Sequence, residues 1–108
     1  MNRAINEQLS ELRARLEAKS MTYGTLPSKA VFSKAWADEM GEDEDYNYSL
    51  KGSDAETARK VGVPVSGSFG EDKLYSILKK LIDAFDDGED AAGDIASGIM
   101  QTLGFEWI

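Results

Sequence analysis

The strongest constraint on the fold of this chain is a helical repeat of apolar residues in its last third. At about 100° per residue, the apolar residues of 74–85 share one face, and those of 92–103 continue that face when the count runs unbroken through Gly88. The repeat therefore predicts helix over most of 71–103. Its members are Leu74, Ile77, Leu78, Leu81, Ile82, Phe85, Ala92, Ile95, Ala96, Ile99, Met100 and Leu103.

Two arrangements of 71–103 fit the sequence equally well. The shared phase favours one long helix, because two unrelated helices have no reason to share it. A break at Gly88 would also place Asp86 and Asp87 at the negative end of a helix dipole. Two shorter helices are favoured instead by the stop signal Asp-Asp-Gly, and by Gly88, Gly93 and Gly98, which each cost about 1 kcal/mol inside a helix.

Two helices are predicted in the first 40 residues. Residues 2–19 form an amphipathic helix by their apolar spacing. A second helix should begin near Pro27 or Ser28, with the proline in its first turn, and end near Met40. Gly41 is then a plausible residue to follow its C-cap. The apolar stripe of the first helix consists of Ile5, Leu9, Leu12 and Leu16.

The middle of the chain mixes strand and helix signals. Residues 46–50 and 61–65 each alternate in polarity, which allows a short two-stranded pairing of 46–50 with 61–65. Between them, Ser53 as N-cap and Glu56 three residues later predict a capping box. The short helix that this box begins should end near Gly62.

Two remaining segments have no periodic pattern. Residues 66–70 read as a loop rich in serine and glycine. Gly104 is expected to end the last helix. The apolar tail that follows should dock on the core; it contains Phe105, Trp107 and Ile108.

Length and composition indicate a single domain, 1–108, that is mainly α, with four to five helices and the short β element described above. A hydrophobic content of 42% and a charged content of 30% are typical of a folded globular protein. The chain has no cysteine and no histidine, so thiolate chemistry, the commonest zinc ligands and the commonest general base are missing. No leader or membrane-spanning segment is visible, and a cytoplasmic location is expected.

Charge is distributed very unevenly along the chain. Residues 35–108 carry 17 Asp and Glu against 6 Lys and Arg, whereas residues 1–34 carry 3 against 6, for a total net charge of −8. Such a field repels nucleic acid and anionic membranes and attracts basic surfaces. Two interpretations of the charge remain open: a surface for a basic protein partner, and a solvated acidic face that only keeps the protein in solution.

Two acidic segments are the candidate partner-binding residues. On a continuous helical wheel, the aspartates of 83–94 cluster within about 100°, opposite the apolar face. Their spacing resembles that of successive phosphates along a nucleic-acid strand. The acidic run 42–45 would extend this patch if it folds nearby. The candidate residues are Asp83, Asp86, Asp87, Asp90 and Asp94, together with Glu42, Asp43, Glu44 and Asp45.

Two other motifs are only half matched. Residues 43–54 resemble a calcium-binding loop but place Tyr48 where such loops need glycine, and residues 83–94 place Phe85 where a ligand is required. Residues 57–63 resemble the turn of a helix-turn-helix motif, yet Pro64 and a glycine-rich stretch follow in place of a recognition helix. No metal site, cofactor or direct nucleic-acid contact is predicted. No nucleophile and base occur at motif spacing, so an enzyme is not expected.

Acidity, small size and the lack of His and Cys resemble small phage-encoded inhibitors of host defence, of the anti-CRISPR and anti-restriction type. The closing stretches Asp90-Ala91-Ala92-Gly93-Asp94 and 103–108 are also similar in style to small phage proteins. The resemblance implies a host nuclease or surveillance complex as partner, blocked by an acidic face, and a site of action in the host cytoplasm. The alternative is a structural or assembly adaptor acting through helix 2–19. A monomer or a small homodimer fits either function.

Overall fold

The computed structural model describes residues 20–21, 24–41 and 43–107, and within these ranges the chain is mainly α, as predicted. The predicted helix 2–19 lies outside the described residues. The helices are α1 (Lys29–Glu39), α2 (Ser53–Val61), α3 (Glu71–Asp86) and α4 (Asp90–Thr102), and the strands are β1 (Ser20–Met21), β2 (Tyr46–Ser49), β3 (Ser66–Phe69) and β4 (Glu106–Trp107).

Helix α1 begins near the predicted position, and Ser28 is its N-cap. The Ser28 hydroxyl accepts a hydrogen bond from the Val31 N–H at 3.3 Å, which satisfies one of the free donors of the first turn. Pro27 therefore precedes the cap and does not lie in the first turn, which corrects the prediction. The helix ends at Met40, the C-cap residue, and Gly41 follows it as expected.

Strand β2 forms as predicted, but its partner was wrongly predicted. It pairs antiparallel with β3, so Tyr46 lies opposite Phe69 and Ser49 opposite Ser66. The predicted partner 61–65 is not a strand, because Val61 still belongs to α2 and the chain then turns back. Consequently the predicted loop 66–70 contains a strand.

Helix α2 ends at Gly62 as predicted, but it starts differently. Gly52 occupies the N-cap position and Ser53 is the first helical residue, so no side chain caps the helix and the predicted capping box is wrong. The hydroxyl of Thr57 donates to the Ser53 carbonyl at 2.9 Å, within the helix.

Residues 71–102 form two helices and not one. After Asp86 the chain adopts a left-handed conformation at Gly88, with φ of 105°, which a side chain would strain. The Gly88 N–H donates to the Phe85 carbonyl at 3.0 Å and the Glu89 N–H to the Ala84 carbonyl at 2.9 Å. These two bonds are the Schellman pattern of a glycine-terminated helix. The predicted apolar faces survive the break because α3 and α4 pack against each other.

The core lies between α3 and α4, and α1 and α2 close it. Phe105 is 1% exposed, so the start of the apolar tail docks on the core as predicted. Beyond it, β4 pairs in parallel with β1. Ile108 lies outside the described residues. The largest fully buried side chains are Phe32, Phe105, Leu74, Leu78, Leu81, Met100 and Leu103.

The ring of Phe85 is held between two backbones. A Cβ atom built on Gly24 would lie 2.3 Å from its Cε1 atom, and one built on Gly93 would lie 2.2 Å from its Cδ2 atom. Both distances are far below van der Waals contact, so only glycine leaves room for the ring. Phe85 therefore joins the segment before α1 to α4.

Candidate functional site: two acidic surfaces

The first acidic surface surrounds the connection between α3 and α4, and we call it the acidic turn. Asp83 and Asp86 lie in the last turn of α3, and Asp87 is its C-cap residue. Asp90 opens α4 and Asp94 lies one turn further. All five side chains are exposed. Because the helix breaks, they do not form the single helical stripe that the sequence predicted, but gather around a turn.

Local electrostatics disfavours the aspartates at the end of α3, whereas Asp90 lies in the first turn of α4, where a negative charge is favourable. The last turn of α3 has three aspartates at or beside the negative end of the helix dipole and no basic residue. A charge of the wrong sign at that position costs about 0.3–1 kcal/mol. Of the residues that the structure describes, none forms an ion pair with Asp83, Asp86, Asp87 or Asp90.

The neighbouring Glu89 behaves differently. Its carboxylate pairs with the Lys60 ammonium on α2 at 2.9 Å, and its side chain is 33% exposed. Glu89 therefore links the turn to α2 by a partly exposed ion pair, whereas Asp83, Asp86, Asp87 and Asp90 form no ion pair with a described residue.

The second acidic surface is a groove beside the start of α3. Asp43, Glu44 and Asp45 line it together with Glu71 and Asp72, and the nearly buried Trp36 also contributes; the cavity volume is about 480 Å³. We call this the acidic groove. Glu42, the remaining candidate residue, lies outside the described residues.

Part of the charge of the acidic groove is compensated by α1. The Lys29 ammonium lies 2.5 Å from Glu71 and 2.7 Å from Asp72, and the Ser33 hydroxyl donates to Glu71 at 3.0 Å. Hydrogen bonds to Asp72 and Glu71 raise the pKa of Lys29. Asp43, Glu44 and Asp45 form no ion pair with a described residue, although Lys73 lines the same groove.

The two acidic surfaces lie at opposite ends of α3. The acidic groove adjoins its first residue and the acidic turn surrounds its last. A helix of 16 residues is about 24 Å long. Residues 43–45 therefore do not extend the acidic turn, which answers a question that the sequence left open.

The fold divides both half-matched calcium loops. Residues 43–54 run through β2 into α2, and Tyr48, at the place where a calcium loop needs glycine, lies in the strand. Its hydroxyl donates to the Pro64 carbonyl at 2.5 Å, and burial raises the pKa of Tyr48. Residues 83–94 contain the end of α3 and the start of α4. In the described part of the chain, no three acidic side chains are placed to hold a metal ion.

The helix-turn-helix resemblance ends at Gly62. After α2 the chain forms β3 and not a recognition helix. This agrees with the prediction that Pro64 and the glycines interrupt the motif.

Sequence reasoning missed a second groove, of about 360 Å³, on the other side of Lys73. Lys73, Ser76, Ile77 and Lys80 of α3 line it, and the segment 62–64 closes it. We call this the basic groove. The signal was present in the sequence, since Lys73 and Lys80 are two helical turns apart on one face.

Neither a family model, a curated protein nor a solved structure matches the chain. Among the helices of the described ranges, none combines the length and the apolar content needed to cross a lipid bilayer. The functional argument therefore depends on the geometry of the surfaces alone.

Proposed function

We propose that this protein is a non-enzymatic acidic binding protein that occupies the basic, nucleic-acid-binding surface of a partner protein complex. The acidic turn is the contact surface. In this proposal the protein acts in the host cytoplasm as a phage-encoded inhibitor of the anti-CRISPR or anti-restriction type.

One observation carries the proposal. Asp83, Asp86 and Asp87 crowd the end of α3 where the helix dipole opposes them, and no described cation compensates them. Folding gains nothing from this arrangement. A basic partner surface would supply the missing positive charges and turn an unfavourable cluster into a favourable contact.

The geometry of a turn also suits such a contact. The carboxylates are exposed and are presented from two helix ends, so phosphate-binding side chains can approach them. Arg and Lys that neutralise phosphates bind carboxylates by the same charge-assisted hydrogen bonds. A protein that binds such residues excludes nucleic acid from them.

The test is a pull-down with the protein as bait, followed by elution with salt or with excess double-stranded DNA or RNA. A charge-driven complex should weaken steeply as salt rises, since the Debye length falls from about 10 Å at 0.1 M to about 3 Å at 1 M. Nucleic acid should compete for the same basic surface and release the partner.

The decisive variant replaces Asp83, Asp87 and Asp90 with Asn, which should abolish binding. The matched control replaces Asp54, Glu56 and Glu106 with the corresponding amides; these are equally exposed acids outside both acidic surfaces. The control changes the net charge by the same amount and should bind as the parent does. Equal binding by the triple Asn variant would reject the proposal.

A complex whose stability changes with neither salt nor added nucleic acid would favour the alternative, an adaptor acting through the apolar stripe of 2–19. In that case Leu9→Asp and Leu12→Asp should abolish binding, while the acidic-turn variant should retain it.

A further inference from the structure

Two grooves of opposite charge lie side by side on α3. The acidic groove ends at Lys73, and the basic groove begins at the same residue. Asp43, Asp45, Lys73 and Lys80 are all exposed. The two grooves therefore adjoin at Lys73, and the charge along them changes from the carboxylates of Asp43 and Asp45 to the ammonium groups of Lys73 and Lys80.

Helix geometry places both grooves on the same side of α3. At 100° per residue, Asp72, Lys73, Ser76 and Lys80 lie within about 100° of one another. From Asp72 to Lys80 the helix rises about 12 Å. The Ser76 hydroxyl donates to the Asp72 carbonyl at 3.2 Å, within the helix. The cationic groups of this face are therefore the two lysines.

A surface with this pattern is complementary to itself under a two-fold rotation. The rotation brings the negative end of one copy onto the positive end of the other, and does so twice. We propose that this face is a weak homodimer interface, in which Lys73 and Lys80 of one copy meet Asp43 and Asp45 of the other.

Apolar groups in each groove add to the charges. The basic groove contains Val63, Pro64 and Ile77, and the acidic groove contains Trp36. The aliphatic stem of a lysine can lie on such groups while its ammonium reaches a carboxylate. Because Val63, Ile77 and Trp36 are nearly buried, this apolar contribution is small and the opposite charges dominate the contact.

The net charge of −8 opposes self-association at long range. At about 0.15 M salt the Debye length is about 8 Å, so the acidic turn at the far end of α3 is screened while contacts inside the grooves persist. Dimerisation should therefore be strongest near physiological salt, and weaker both at about 0.01 M and at about 1 M.

The experiment is sedimentation equilibrium over a concentration series at these three salt concentrations. The wild-type protein should show a reversible monomer–dimer equilibrium. Lys73→Glu with Lys80→Glu should weaken the dimer about tenfold or more, because exposed ion pairs are exchanged for like-charge contacts. Asp43→Lys with Asp45→Lys should do the same.

The sharp test mixes these two double variants. In the mixed dimer each contact joins opposite charges, so an equimolar mixture should dimerise although neither variant does so alone. Lys34→Glu with Lys51→Glu is the matched control, since both residues are exposed and lie in neither groove. The control should dimerise as the wild type does. When it is mixed with the Asp43→Lys, Asp45→Lys variant, that variant should remain monomeric.

A wild-type protein that stays monomeric at all three salt concentrations would overturn the inference. So would a Lys73→Glu, Lys80→Glu variant that dimerises as well as its control. Circular dichroism checks that each variant folds. If a double variant does not fold, the corresponding single variant, Lys80→Glu or Asp45→Lys, is used in its place. The inference is independent of the proposed function, because the Asn variant of the acidic turn should leave the dimer unchanged.

Discussion

Phe85 shows how closely single residues are matched in this fold. Its ring lies between the backbones of Gly24 and Gly93, and a Cβ atom on either would overlap it. On α4, by contrast, a Cβ atom on Gly98 would meet nothing within 4 Å. Gly93 is therefore required by the packing of the Phe85 ring, whereas Gly98, five residues later in the same helix, is not required by any contact within 4 Å.

Gly93→Ala should destabilise the protein by about 1–3 kcal/mol, because the new methyl group displaces the ring in a packed site. Gly98→Ala should stabilise it by up to about 1 kcal/mol, because alanine is the better helix former. Urea denaturation of both variants measures the difference. A Gly93→Ala protein at least as stable as the wild type would contradict the packing described for Phe85.

Lys29 bridges α1 and α3 through ion pairs with Glu71 and Asp72. Lys29→Gln should reduce stability by about 0.2–1 kcal/mol, the usual range for an exposed ion pair. Folding raises the pKa of Lys29 above its usual value of 10.5. The contribution of Lys29 to stability is therefore complete below pH 10.5 and is lost as the pH rises through the higher pKa of the folded state. Thermal melts of wild type and variant should therefore differ at pH 7 and converge at strongly alkaline pH. A gap that persists there would exclude an ionic origin.

At the scale of elements, the hairpin of α3 and α4 is the central feature of the molecule. Its turn depends on Gly88, whose φ of 105° lets two amides close the end of α3. The turn also determines which acidic residues meet, because it brings Asp86 and Asp90 to one end of the hairpin.

Gly88→Ala should destabilise the fold by about 1–2 kcal/mol, since a non-glycine residue is strained in the left-handed region. The helices should stay separate, because their packed apolar faces require the reversal of the chain. Far-ultraviolet circular dichroism and denaturation report both effects, and Gly98→Ala again provides the control. Increased helicity together with increased stability would mean that 71–102 prefers one continuous helix.

Much of the helical architecture was predictable, because a helix is encoded by residues that are near one another in sequence. The apolar faces of 74–103 and the approximate bounds of the helix that follows Pro27 are examples. The choice between one and two helices was not predictable, because the two faces of a hairpin carry the same repeat as one long helix does. The partner of β2 was missed for a similar reason. Ser66–Phe69 has no apolar alternation of its own, and only its cross-strand neighbours make it a strand.

The candidate site was predictable residue by residue but not in its layout. Exposure of the aspartates of 83–94 follows from their positions opposite an apolar face. The separation of Asp43 and Asp45 from that cluster depends on which end of α3 the preceding loop packs against, and nothing local in the sequence determines this. The basic groove was missed because it joins α3 to the segment 62–64, which lies before β3 in the chain.

At the scale of the whole molecule, charge is arranged in bands along α3. The acidic groove adjoins its start and ends at Lys73 in the first turn, Lys80 lies near its middle, and the acidic turn surrounds its end. If folding alone had determined the sequence, basic residues would be expected at the end of the helix. The order of the bands is therefore a property of the surface and its contacts.

Replacing Asp83, Asp86 and Asp87 with Asn should stabilise the isolated protein by about 0.5–2 kcal/mol, because it removes like charges from the negative end of a helix. The gain should shrink at high salt. Asp54→Asn is the contrasting control, since Asp54 lies in the first turn of α2, where a negative charge is favourable. Urea denaturation of the triple variant and of Asp54→Asn, in low and in high salt, measures these changes in stability. A triple variant less stable than the wild type would show that the aspartates stabilise the fold.

The ring held between two glycines has an evolutionary consequence. Positions 24, 85 and 93 cannot diverge independently: a side chain can enter at 24 or 93 only in a lineage in which 85 has already become smaller. Sequences descended from a common ancestor with this chain should therefore show these three sites changing together, while position 98 varies freely.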